Sequence, residues 1–146
     1  MINESYAYID IKNKTHYVFQ SEGQNGKILK AVVFTNLGER LWNLGFGDLQ
    51  NGDIDDAIVS NNHDLVKVIS TVAKIANEFS NNFPLRHIVI NPIDAKRKRL
   101  YNHVFRRHYE VISTNFSIIG INKRKKETYS PQKIYDSFEL IRKFGK

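Results

Sequence analysis

The stretch Arg86–Ile121, RHIVINPIDAKRKRLYNHVFRRHYEVISTNFSIIGI, constrains the fold more than any other part of the chain. It reads as a short buried strand over His87–Ile90, a turn at Asn91-Pro92, a helix from about Asp94 to about Tyr109, and a closing strand. Six of the sixteen residues in Asp94–Tyr109 are Lys or Arg, yet Leu100, Tyr101, Val104 and Phe105 keep a narrow apolar stripe. At ~100° per residue, Lys96, Lys98, Arg99, Arg106 and Arg107 turn away from that stripe, while Arg97 falls inside it with His108 beside it. A guanidinium directed toward a core needs a partner. The acidic residues Asp48, Asp55 and Asp56 are the expected ones, Asp48 standing at a strand end marked by Gly45 and Gly47.

The rest of the chain supplies an antiparallel meander and one long helix. Tyr6–Ile11 alternates as a strand does, and Thr15–Gln20 is aromatic and β-branched. Ser21–Lys27 contains an Asn-Gly and predicts a hairpin turn, followed by a strand over Ile28–Thr35. A turn at Asn36–Gly38 then leads to a fourth strand over Leu41–Leu49. Ala57–Ser60 reads as a short strand, and the polar run Asn61–Asp64, His63 included, as the cap of the helix that follows. Leu65, Val68, Ile69, Val72, Ile75, Ala76 and Phe79 recur at helical spacing up to about Ser80. Near the C-terminus the basic run Lys123–Lys126 reads as an exposed linker. Ser130-Pro131 opens an expected amphipathic helix with Ile134, Tyr135, Phe138, Ile141 and Phe144 as its stripe. The expected class is therefore α/β (α+β), with a core domain over residues 1–122 and a basic linker and helix over 123–146.

Charge distinguishes the two halves. Residues 1–92 hold 8 Lys and Arg against 10 Asp and Glu, whereas residues 93–146 hold 14 against 5. That asymmetry points to a polyanionic or acidic partner for the C-terminal half. With no cysteine there is no disulfide, thiol nucleophile or zinc–thiolate site. No apolar run approaches the ~18 residues of a membrane span, and the opening MINESYAYIDIKNK lacks the basic and apolar regions of a signal peptide. The expectation is a cytoplasmic protein with no membrane partner. The clustered carboxylates around Asp48 and Asp53–Asp56 do not by spacing alone define a metal site, and none is expected.

Two resemblances follow from these residues. Phe19, Ser21-Glu22-Gly23, Gly26-Lys27-Ile28, Asn43–Asp48, Ile54-Asp55-Asp56, Ser60-Asn61-Asn62 and Arg97…Arg99-Leu100-Tyr101 together resemble a bacterial family of small proteins of unknown function. That resemblance implies no established activity and, for some members, a place in toxin–antitoxin pairs. The order strand, Asn91, Ala95, Leu100-Tyr101, Tyr109, closing strand is similar to the C-terminal half of the GNAT acetyltransferase superfamily. The meander and long helix before it fit the same order. In that superfamily a Gly-rich loop before the long helix binds the acetyl-CoA pyrophosphate. Here Ser60–Leu65 has no glycine and places Asp64 where an anion would sit.

Three functions fit. The first is a small basic binding protein, in its narrower form the toxin-like member of a toxin–antitoxin pair. It would meet RNA, DNA or an acidic protein such as an antitoxin through Lys96, Lys98, Arg106, Arg107 and Lys123, Arg124, Lys125, Lys126. It needs no cofactor. The second is a GNAT-type acyltransferase using acetyl-CoA, with Asp48, Asp55 or His63 as base and Tyr101 protonating the thiolate. The third is a small-ligand or hydrolytic site in which Arg97 and Arg99 face Asp48, Asp55 or Asp56. The candidate polar site is thus Asp48, Asp55, Asp56, Asn62, Arg97, Arg99 and Tyr101.

Overall fold

The computed structural model of the protein describes residues 4–50, 53–55 and 64–144. It is a mixed α/β protein whose strands pair mostly antiparallel, with three helices among the described residues. Its packing separates into two units: Met1–Thr35 with Leu44–Asn82, and Asn36–Asn43 with Phe83–Lys146.

The first unit holds β1 (Tyr8–Lys12), β2 (His16–Gly23), β3 (Gly26–Gly38) up to Thr35 and β4 (Leu41–Gln50) from Leu44, consecutive strands of a meander, with β5 (Asp53–Asp55) beside β4. Pairing of Gly23 with Gly26 leaves a two-residue turn, and Gly26 takes φ 90°, which explains why the Asn-Gly signal is there. Register sets Tyr17 opposite Val32 and Phe19 opposite Lys30, so one face carries Tyr17, Phe19, Val32 and Phe34. The helix α1 (Leu65–Asn82) covers it. Its residues Val68, Thr71, Ile75, Ala76 and Phe79 are buried at helical spacing, and the Phe79 ring stacks on Phe34 at 3.9 Å between centroids. Each such apolar side chain removed from water contributes roughly 1.5–3 kcal/mol.

Two details differ from the sequence reading. The turn expected at Asn36–Gly38 falls one step later, because β3 continues to Gly38 and Glu39 takes φ 46°. The acidic run contains β5, antiparallel to β4 with Asp55 opposite Asp48. Backbone pairing there prevails over the low strand preference of Asp. The expected strand over Ala57–Ser60 and the capping run Asn61–His63 lie outside the described residues.

In the second unit the start of β4 pairs in parallel with β6 (His87–Ile90), and β9 (Ser137–Arg142) lies antiparallel between β6 and β7 (Phe116–Asn122). A hairpin adds β8 (Lys125–Thr128) outside β7. Two helices, α2 (Ala95–Arg107) and α3 (Tyr109–Asn115), connect β6 to β7. The Phe105 ring of α2 stacks on Phe138 of β9 at 4.1 Å, with Tyr129 and Tyr135 alongside.

The C-terminal helix is not formed. Ser137 to Leu140 are four consecutive buried residues, the signature of a strand covered on both faces. Phe138, Glu139 and Leu140 each have partners on both sides, in β6 and β7. The spacing of Tyr135, Phe138 and Ile141 imitates a helical stripe, but a central strand satisfies every backbone group and wins. The Lys123–Lys126 stretch is likewise no linker. Lys123 (φ 49°) and Arg124 (φ 70°) form the two-residue turn of the β7–β8 hairpin, and Lys125 and Lys126 begin β8.

Candidate functional site

Arg97 points inward as its position in the stripe requires, and only 3% of it is exposed. The carboxylate that meets it is that of Asp94. Arg97 Nη1 donates to Asp94 Oδ2 at 3.0 Å, while Asp94 Oδ1 accepts from the Arg97 backbone N–H at 2.8 Å. Asp94 thus caps α2 and holds its buried cation with the same side chain. A residue three positions away on the same helix reaches the guanidinium without any long-range register, which is why it takes this role. The second terminal nitrogen, Nη2, is buried with no hydrogen-bond partner among the described residues.

Asp48, only 3% exposed, accepts from Lys30 Nζ at 2.5 Å. Lys30 is 2% exposed and its ammonium lies 5.7 Å from the centre of the Phe46 ring. Close by in sequence, Asp64 Oδ2 accepts at 2.5 Å from both the buried Ser21 hydroxyl and Tyr6 Oη. Burial first, and then the bond to Asp64, push the Tyr6 phenol above its ordinary value. Backbone register brings Asp55 opposite Asp48, whereas Asp56, Asn62 and His63 lie outside the described residues. The first unit therefore holds two polar groups: the buried Lys30–Asp48 pair, and Asp64 with Tyr6 and the buried Ser21. Ser21 is completely buried, so it is not placed to attack a substrate.

The cations of the second unit are arranged differently. Lys96, Arg99, Arg106 and Arg107 are all exposed on α2, where helical geometry sets them, with the His103 ring between them, within an arc of ~100° and over ~16 Å of length. Arg97, Asn102, Val104 and Phe105 are buried. Tyr101 is half-buried. Asn102 acts almost as an added strand residue, donating from Nδ2 to Tyr135 O at 2.9 Å and accepting at Oδ1 from Tyr135 N at 2.8 Å.

Most acidic residues in this part are already engaged. Asp136 accepts from Lys98 Nζ at 2.8 Å and from the Lys123 backbone N–H at 3.2 Å, so the hairpin turn and α2 meet at one carboxylate. Those two donors hold the Asp136 carboxyl below its ordinary value. Glu127 pairs with Lys133 at 3.0 Å, and the buried Glu139 accepts from Lys126 Nζ at 2.9 Å and His87 Nδ1 at 2.7 Å. Lys126 and Lys98 are thereby partly committed to structure. Lys96, Arg99, Arg107, Arg124 and Lys125 have no ion partner among the described residues.

A groove of about 210 Å³ runs along this face, lined by Lys98, Arg99, Asn102, His103, Arg106 and Ile134. One wall is α2. The other is the segment Pro131–Asp136, tied to the helix by Lys98–Asp136, Asn102–Tyr135 and Arg106 Nε to Pro131 O at 3.2 Å. Ile134 projects beside these cations and is 63% exposed. At the end of α2, burial first and then Arg107 and His103 lower the His108 pKa. No three His, Asp or Glu side chains among the described residues are placed to hold a metal ion. No described helix is long and apolar enough to cross a membrane.

These features define a mixed α/β protein with a buried Lys–Asp pair in one unit and, in the other, a cationic helix face with no ion partner among the described residues. Residues 2–143 match the model of a family of unknown function, DUF6934, and the chain belongs to that family. No curated protein and no solved structure matches it.

Lys30, Asn102, His87 and Glu139 were not among the candidate site residues, whereas Ser21 and Asp64 entered only through the resemblances and the helix cap. Lys30 had a signal: Ile28, Lys30, Val32 and Phe34 share one strand face, so an inward lysine requires an acid nearby. Glu139 and Asn102 had none, since each depends on where β9 inserts.

Proposed function

We propose that this protein binds a polyanion, with nucleic acid as the ligand, through the exposed face of α2 and the adjoining β7–β8 turn. The observation that carries the proposal is the division of labour among the cations. Arg97, Lys98, Lys126 and Lys133 pair with the acids of the second unit, and an unpaired stripe remains on the helix. The turn supports the same reading. Lys123 and Arg124 both occupy left-handed backbone, where Asn-Gly would be relaxed. Strained backbone retained at an exposed, doubly cationic turn is what a functional contact would maintain.

Phosphate contacts from such a stripe give affinity without sequence selectivity. The narrower role, the toxin-like partner in a toxin–antitoxin pair, would use the same stripe to meet an acidic antitoxin. The test is charge reversal of Lys96, Arg99 and Arg107 to Glu, read by fluorescence anisotropy with a labelled oligonucleotide. All three side chains are exposed, so the melting temperature should stay within a few degrees. Binding at ~50 mM salt should fall at least tenfold, and unchanged binding would overturn the proposal.

A GNAT-like fold is supported by the chain order alone: a meander, the long helix α1, β6, the helix α2 and, after α3, the strand β7. The cofactor is less well served. Asp64 stands at the start of α1 with its carboxylate bonded to Tyr6 and Ser21, and a negative charge there opposes a pyrophosphate. Calorimetry with acetyl-CoA at ~1 mM tests the acyltransferase reading; heat of binding would revive it.

A further inference from the structure

From the groove beside α2, and resting on the nucleic-acid reading above, we infer that the ligand is a single strand rather than a duplex. One phosphodiester would sit among Arg99, His103 and Arg106, and the attached base or sugar would lie against Ile134.

The geometry of the groove argues for this. An α-helix with its side chains is ~10–12 Å across and fills the ~12 Å major groove of a duplex, so a reading helix needs both flanks free. The Pro131–Asp136 segment occupies one flank of α2, fastened at Lys98, Asn102 and Arg106 along the helix. Seating α2 in a major groove would require that segment to be displaced, with its two hydrogen bonds between Asn102 and Tyr135 broken. The same wall bounds a half-open groove of about 210 Å³, below the ~300 Å³ where pockets for whole small molecules begin. A groove of that size suits one backbone unit of a strand.

Ile134 gives the second part of the argument. It is a large aliphatic side chain, 63% exposed and set beside Lys98, Arg99, His103 and Arg106. Phosphate binding alone gives no use for an apolar surface at that place. An unpaired base or sugar does, because single strands present apolar faces that a duplex keeps stacked inside.

The experiment is anisotropy with the full chain and three probes of equal length: a single-stranded RNA, the single-stranded DNA of the same sequence, and the DNA duplex. Each is titrated against the natural protein and against Ile134→Ser, a substitution at an exposed position that leaves the charge unchanged. The inference expects both single strands to bind at least tenfold tighter than the duplex, and Ile134→Ser to weaken single-strand binding three- to tenfold while duplex binding holds. Tighter RNA than DNA would add a 2′-hydroxyl contact, and equal affinities would assign recognition to phosphate and base alone; both support the inference. Duplex binding as tight as single-strand binding, or no effect of Ile134→Ser, overturns it and leaves the cationic face as a general polyanion surface. No binding of any probe at ~50 mM salt overturns the nucleic-acid reading as well.

Discussion

Replacing Asp94 and replacing Arg97 should have very different consequences, although the two form one ion pair. The Arg97 side chain is 4% exposed and that of Asp94 45% exposed. Asp94→Ala removes the α2 cap, worth ~1 kcal/mol. It also leaves a buried guanidinium with no carboxylate, a defect that costs ~3–5 kcal/mol when complete and less here because one end of the pair is near solvent. The expected total is ~2–4 kcal/mol. Arg97→Met leaves Asp94 able to cap, since the capping bond comes from the backbone N–H of residue 97. It removes a buried nitrogen that has no hydrogen-bond partner among the described residues, relieving a penalty of ~1–3 kcal/mol, and replaces the stem with apolar volume. That variant should lie within ~1 kcal/mol of the natural protein or be slightly more stable. Urea denaturation followed by circular dichroism, with midpoints compared at equal m-value, measures both. If Arg97→Met destabilised more than Asp94→Ala, the buried guanidinium would be contributing stability that this reasoning denies it.

Other expectations follow from neighbouring features. Lys30→Ala should cost up to ~3–5 kcal/mol in urea unfolding by removing the buried cation from which Asp48 accepts, and a Lys30→Met/Asp48→Leu double variant should recover part of that; additive losses would show the pair is not coupled. Burial pushes the Glu139 carboxyl up, but hydrogen bonds from Lys126 and His87 outweigh it and hold the pKa below normal. Its folded pKa being depressed, its contribution is complete above the unfolded carboxylate value of ~4.3 and fades as pH falls through the folded one. Glu139→Gln should therefore flatten the acid limb of stability against pH, and an unchanged limb would contradict it. Gly120→Ala should destabilise by several kcal/mol in thermal or urea unfolding, because the added carbon would overlap the buried Tyr135 ring; a loss under ~1 kcal/mol would show that the ring can move. Converting Lys123-Arg124 to Asn-Gly should raise stability by ~1–2 kcal/mol while weakening oligonucleotide binding, and a gain in both would remove the functional reading of the strained turn.

The sequence made some of this legible and hid the rest for identifiable reasons. Local periodicity was enough for α1, the boundaries of β6 and the inward direction of Arg97, since each depends on residues within a few positions. The partner of Arg97 was misjudged because a cap at Asp94 competes with any distant carboxylate and has no loop to close. β9 was misread because a strand buried on both faces has no alternation, and Tyr135, Phe138 and Ile141 happen to satisfy a helical period. Asn102 and Glu139 gained their roles only once β9 was in place. The cationic face of α2 was visible from composition and helical spacing alone. Which of its members stay unpaired was not, because that depends on Asp136 and Glu139 meeting Lys98 and Lys126 across long separations in the chain.

The measurement that bears most directly on the central claim is the salt dependence of oligonucleotide affinity. If about five of the unpaired cations on α2 and the β7–β8 turn meet phosphates, log K against log salt should fall with a slope near −3.5 for a single strand. Affinity would then drop on the order of 100-fold between ~50 and ~200 mM salt. Arg99→Ala with Arg107→Ala should make that slope shallower by about 1.4. A slope shallower than about −1, or one the double substitution leaves unchanged, would mean that the α2 face is a solvated surface and not a binding site.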